Sequence, residues 1–160
     1  MRHILISLIV LGSCVTPVRA DFMNALSAYD AGAYGVAVTE WRRLAESGDI
    51  DAQVALAGLY QAGLGAPRDD RAAARWYERA AQRGNMVARL NIGDLYSRGI
   101  GVARDRAQAW YWLSLAAEGG SDWARRRRDA VARAMLPDEK VRAKALLDAV
   151  RHKNRPPRGG

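Results

Sequence analysis

The sequence predicts an all-α fold, a solenoid of antiparallel helix pairs. Three observations predict it: a 36-residue internal repeat, apolar stripes at helical spacing within it, and turn and cap residues in the same register. The segment AQVALAGLY at 52–60 returns as ARLNIGDLY at 88–96, and 52–85 against 88–121 shares 12 identities in 34 positions. Only four of those are alanine, so composition does not produce the match. A period of this length is the signature of stacked supersecondary units, each burying its apolar face against the next.

Within a unit, Ala52, Leu56, Leu59 and Tyr60 recur at spacings of three and four, one face of a first helix. Ala73, Trp76, Tyr77, Ala80 and Ala81 form the stripe of a second. Between them Gly63 and Gly65, returning as Gly99 and Gly101, supply the positive-φ positions of a turn. Gly48, Gly84 and Gly120 each precede a capping residue (Asp49, Asn85 and Ser121), which starts the next first helix. Asp69 and Asp105 recur before the second helices, and Gln108 lies three residues after Asp105, a capping-box spacing. The structural positions are therefore Leu59, Tyr60, Gly63, Gly65, Asp69, Trp76, Ala80 and Gly84, with Leu95, Tyr96, Gly99, Gly101, Asp105, Trp112, Ala116 and Gly120 in the second copy. Small Ala52, Ala73 and Ala80 suit close helix crossings, and Trp76 and Trp112 are expected to fill the wider gaps of the core.

The remaining elements follow from this register. Ala37, Trp41 and Ala45 stand 36 residues before Ala73, Tyr77 and Ala81, which makes 22–48 a degenerate first unit with its first helix over 22–31. Full units occupy about 49–84 and 85–120. C-terminal helices fill 121–150, one running to about Met135 and one opening at Pro137-Asp138-Glu139 with proline and acids in its first turn. The basic tail 151–160 is expected to be disordered.

Residues 1–20 differ in kind. Met1-Arg2-His3 is followed by an apolar run from Ile4 to Val15, a helix-breaking Pro17, and Val18-Arg19-Ala20. That is a secretory signal peptide with cleavage between Ala20 and Asp21; the run is too short to span a bilayer. Cys14, in Leu11-Gly12-Ser13-Cys14, opens a second reading as a lipidated N-terminus. Cleavage removes Cys14 and leaves His152 as the one histidine, so no disulfide framework or cysteine-based metal site remains. The mature chain holds 23 basic and 17 acidic residues, and four of the bases lie in the last ten positions, leaving 21–150 at +2. Such a body does not fit nucleic-acid binding.

The run AQVALAGLYQAGLGAPRDDRAAARWYERAAQRGN resembles Sel1-like repeats, relatives of the tetratricopeptide repeat, over about 34–120. The resemblance implies a right-handed superhelix acting as an adaptor or scaffold, with partners bound along a concave face lined by first helices. WLSLAAEGG and the following RRRRDAVARAMLPDEKVRAKALL resemble the C-terminal form of secreted bacterial members. Three positions depart from the pattern: Leu136 stands where a capping threonine is usual, Ala57 replaces a glycine that Gly93 keeps, and Ala66 replaces valine.

No catalytic constellation, metal site or cofactor is expected. Asp49/Asp51 and Asp69/Asp70 sit at helix starts, where acids cap, and the Gly-x-Gly turns lack the Lys-Ser/Thr of a phosphate loop. The run Arg125 to Arg128 spreads around its helix at about 100° per residue; Asp122 and Asp129 can pair with it, though an anionic partner or membrane surface could also use it. Trp110, Tyr111 and Trp112 cannot all face one core, so Trp110 or Tyr111 is expected at the surface, and Trp123 has the same ambiguity. The outward positions are candidate partner contacts: Gln53, Gln61, Arg89, Asp94, Ser97, Arg98 and Trp110. The expected protein is a monomeric, non-enzymatic scaffold of the bacterial envelope, periplasmic or secreted, binding a protein or peptide. An envelope hydrolase or a lipid-anchored protein are the alternatives.

Overall fold

The computed structural model of the chain describes residues 17–153. Among these, eight helices follow one another without a strand: α1 Pro17–Asp30, α2 Tyr34–Glu46, α3 Ile50–Ala62, α4 Asp70–Gln82, α5 Met86–Arg98, α6 Arg106–Glu118, α7 Asp122–Arg133 and α8 Pro137–Lys153. From α1 to α7 each helix packs chiefly on its chain neighbours, as a solenoid of alternating first and second helices requires.

The register of caps is that of the sequence. Asp49, Asn85 and Ser121 accept the backbone N–H of Ala52, Ala88 and Ala124 at 2.7, 2.9 and 3.2 Å. Asp69 accepts Ala72 N–H, and Asp105 accepts those of Ala107 and Gln108. The Asp105 cap is only half a box, because its own N–H donates to the Tyr96 carbonyl instead of to Gln108. Leu136, without a capping oxygen, is compensated from the other side: its N–H donates to Glu139 Oε2 at 2.8 Å. Gly65 and Gly101 have a second duty besides φ values of +72° and +69°. Each turn rests on the start of the preceding second helix, Gly65 against Tyr34–Gly35 and Gly101 against Asp70–Arg71, where no Cβ fits.

Three apolar clusters overlap along the chain, one over α1–α3, one over α3–α6 with α8, and one over α5–α8. Tyr60 packs on the first two and Tyr96, 36 residues later, on the second and third, so the repeat tyrosine joins successive cores. Trp112 is buried, but Trp76 at the same register is half-exposed, with the Arg79 guanidinium 4.7 Å from its ring. Neighbouring elements make the difference. Leu147 and Val150 of α8 join the cluster around Trp112, whereas among the described residues α4 packs chiefly on α3 and α5. Tyr77 carries the burial in the first copy.

The ends differ from expectation. Pro17 starts α1 instead of ending a helix, since its fixed φ suits a first position, and α1 extends back beyond residue 22. Helix α8 runs through 151–153, so these residues and His152 are helical, not tail, and Arg151 pairs with Glu118. Helix α8 also leaves the repeat pattern: it lies along α6, not α7. Asp105 and Arg106 at the start of α6 pair with Arg142 and Glu139 in the first turns of α8, and Glu118 at the end of α6 pairs with Arg151 near the end of α8, a parallel arrangement. The apolar run with Cys14 and the segment 154–160 lie outside the described residues. No helix among the described residues is long and apolar enough to cross a membrane.

Candidate functional site

The first helices α3, α5 and α7 turn one set of side chains into the core and leave another outward. Gly58, Asp94 and Ala130 share one outward register position, 36 residues apart, and none is fully buried. Around them the sequence-derived candidates separate into three groups.

Gln53 is not a contact residue. It is 4% exposed, and its Nε2 donates to the Ala45 carbonyl at 3.1 Å. Arg89, one period later, does the same with Nε toward Ala81 at 3.2 Å and is half-buried. Both are latches that give a second hydrogen bond to a carbonyl near the end of the preceding second helix, which already accepts the Gly48 or Gly84 N–H at 3.1 Å. The signal that could have revealed this was present: two long donor side chains in register, each eight residues after an alanine of the repeat. Gln61 is likewise half-buried, against Tyr77 Oη.

Asp94, Ser97 and Arg98 do come together, and Arg127 joins them from α7. Arg127 donates to Asp94 at 2.7 Å and to Ser97 Oγ at 3.3 Å, while Arg98 holds the other Asp94 oxygen at 3.1 Å. This pair across α5 and α7 was not legible from local spacing. In the same run Arg125 pairs with Asp122 and Arg128 with the adjacent Asp129; Arg126 makes no ion pair among the described residues. Arg127 and Ser97 line an open cavity of about 210 Å³ between α5 and α7, with Arg104 and Arg106 from the α5–α6 turn and the start of α6. A second cavity of about 250 Å³ lies between α1 and α3, lined by Tyr29, Trp41, Val54, Gly58, Ala62 and others, and is apolar.

Trp110 stands apart from both. It is half-exposed while Tyr111 is buried, and it lines a separate apolar cleft of about 300 Å³ with Met135, Ala143, Lys140 and Lys144. That cleft opens where α8 diverges from α7. Trp123 is 48% exposed on α7.

The acids are occupied by structure. Asp49 and Asp69 cap helices, Asp70 pairs with Arg68 at 3.0 Å, and Asp51 lies exposed in the first turn of α3. Among the described residues no three His, Cys, Asp or Glu side chains gather as a metal site would need. Burial pushes the Tyr77, Tyr96 and Tyr111 phenols up, with the Glu78 and Asp105 carboxylates adding to the rise at Tyr96.

Stacked helix pairs with matched caps, turns and core define an α-solenoid repeat protein. The Sel1 repeat model matches residues 50–85 and 87–121. A Sel1 repeat protein from Oxalobacter formigenes is 35% identical over 71% of this chain and 89% of its own, with a TM-score of 0.65. The chain belongs to the Sel1 repeat family, whose fold is commonly a protein-interaction scaffold. A protective antigen of uropathogenic Escherichia coli displaying an SLR fold aligns with a TM-score of 0.76 at 23% identity over 89% of this chain. The chain spans 34% of that protein's length. No curated protein matches the chain.

Proposed function

We propose that the protein is a non-catalytic interaction scaffold of the bacterial envelope that binds a protein or peptide along the outward face of α3, α5 and α7. One observation carries the reading. The positions shared between repeat copies go into caps, turns and core, while the outward register position carries glycine, aspartate and alanine in turn beside two open cavities. Asp94, Ser97 and Arg98 belong to that face; Gln53 and Arg89 serve as latches inside it.

Export by cleavage between Ala20 and Asp21 completes the proposal. Cleavage there would shorten α1 to begin at Asp21, whose carboxylate pairs with Arg43 of α2 at 2.8 Å, so the trimmed helix would keep its tie to the body. Mass spectrometry of the mature N-terminus tests this: Asp21 supports it, and a lipidated Cys14 replaces it with anchoring.

The binding face is tested by photo-crosslinking in cells. A photoreactive residue at exposed Ala62 or Arg98 on first helices is compared with one at exposed Arg75 on α4. Partner crosslinks are expected at 62 and 98. Crosslinks confined to 75 would move the interface to the second helices.

A further inference from the structure

The cavity between α1 and α3 and the cavity between α5 and α7 are built at one register. The α3 wall of the first includes Ala55, Gly58, Leu59 and Ala62. The α7 wall of the second is Arg127, Ala130, Val131 and Ala134. Each residue of the second set stands 72 positions after its counterpart, two periods of 36. Translational repetition of the units then opens both cavities on the same side of the molecule, two units apart.

Their opposite walls differ in chemistry. Tyr29, Trp41 and Leu64 make the first apolar, whereas Arg104, Arg106 and Ser97 make the second basic. Glu139 offsets Arg106, and Asp94 is shared between Arg98 and Arg127. Arg104 makes no ion pair among the described residues and is exposed, so the second cavity keeps a cationic excess.

We propose that this face binds an acidic peptide segment at two points. An apolar side chain enters the α1–α3 cavity, and an aspartate or glutamate carboxylate enters the α5–α7 cavity. The proposal rests on the scaffold reading above and adds the chemistry of the partner. A carboxylate fits better than a phosphate, because Asp94 and Glu139 remain beside the arginines and would repel a dianion. Each cavity is flanked by two successive first helices, so taking about 10 Å per unit along this face, the spacing of adjacent packed helices, puts the cavities about 20 Å apart. An extended chain rising about 3.3 Å per residue covers that distance in about six residues.

The test is a synthetic library of amidated ten-residue peptides in an Ala/Ser/Gly background, carrying one leucine and one glutamate at every pair of positions. Binding to the full chain is expected to peak where the two are about six residues apart. Two variants separate the anchors. Gly58→Asp installs the residue the next unit carries at that register, and its Cβ meets only Tyr77 Oη at 3.7 Å, so the fold accommodates it. It is expected to weaken selection for leucine about tenfold and keep the glutamate preference. Arg104→Glu is expected to do the reverse, about tenfold against glutamate, as loss of an attractive charge and gain of a repulsive one. Binding independent of spacing, no binding at all, tighter binding of phosphoserine in place of glutamate, or selection unmoved by both variants would overturn the proposal. If crosslinks at 62 and 98 persist in any of those cases, the scaffold reading stands and only the two-point peptide falls; if they vanish as well, both fall.

Discussion

Gly101→Ala is the substitution that most directly examines how one unit is joined to the next. Two costs combine there. The residue holds φ at +69°, where a side chain costs about 1–2 kcal/mol. An added Cβ would also stand 3.0 Å from the Arg71 nitrogen and closer still to the Asp70 carbonyl. These are backbone atoms of the first turn of α4, so relief requires α4 and the α5–α6 turn to separate instead of a rotamer change. Overpacking of that kind costs about 1–3 kcal/mol, bringing the total to about 2–5 kcal/mol. Gly32→Ala is the matched control, since φ is +77° there and nothing lies within 4 Å of the added atom. It is expected to lose only the strain, about 1–2 kcal/mol. Urea unfolding followed by far-UV circular dichroism measures both. With about 2–4 °C of Tm per kcal/mol at this chain length, Gly101→Ala is expected to melt roughly 10 °C lower. Equal losses for the two variants would refute the argument that the turn glycine is required by contact with the preceding unit.

Other expectations follow from the same packing. Trp112→Ala should cost about 3–5 kcal/mol as a core deletion, and Trp76→Ala only about half as much, because one ring is buried under α8 and the other lies half-exposed under Arg79; equal losses in thermal unfolding would contradict the role given to α8. Gly93→Ala would place a Cβ 2.9 Å from Leu113 Cγ, which is fully buried, and is expected to cost about 1–3 kcal/mol. A Gly93→Ala/Leu113→Ala double variant that unfolds no differently from Leu113→Ala alone would confirm the source of that cost. Burial raises the Tyr77 pKa above its ordinary 10.0. Its contribution is therefore complete below about pH 10 and lost as pH rises through the raised folded value. Stability measured from pH 8 to 11 should fall less steeply in Tyr77→Phe, and an unchanged slope would remove Tyr77 from the account.

Much of the fold was legible because the repeat writes local backbone chemistry into the chain. A cap is a contact between residues three apart, and a left-handed turn position is a property of one residue, so Asp49, Asn85, Ser121, Gly63 and Gly99 could be read directly. The face was legible only in outline. Asp94, Ser97 and Arg98 are adjacent on one helix and were named together, but Arg127, which closes the group, lies about one unit away in sequence. Polarity does not mean exposure at this register: Gln53 is buried and Arg89 is half-buried. Their donors turn back onto carbonyls near the ends of α2 and α4, adding a second bond to each.

The period, the starts and stops of the repeat helices and their apolar stripes are written in the sequence, because the period is a property of the chain itself and caps, turns and stripes arise between residues four apart or fewer. Only the tertiary structure decided that α8 abandons the repeat to lie along α6, that Trp112 is buried while Trp76 is not, and that Asp94 meets Arg127. It also set two cavities of opposite chemistry at one register. Those outcomes depend on what stands next to each unit. A repeating sequence describes its units well, but it says little about the ends, where the next neighbour is missing or different.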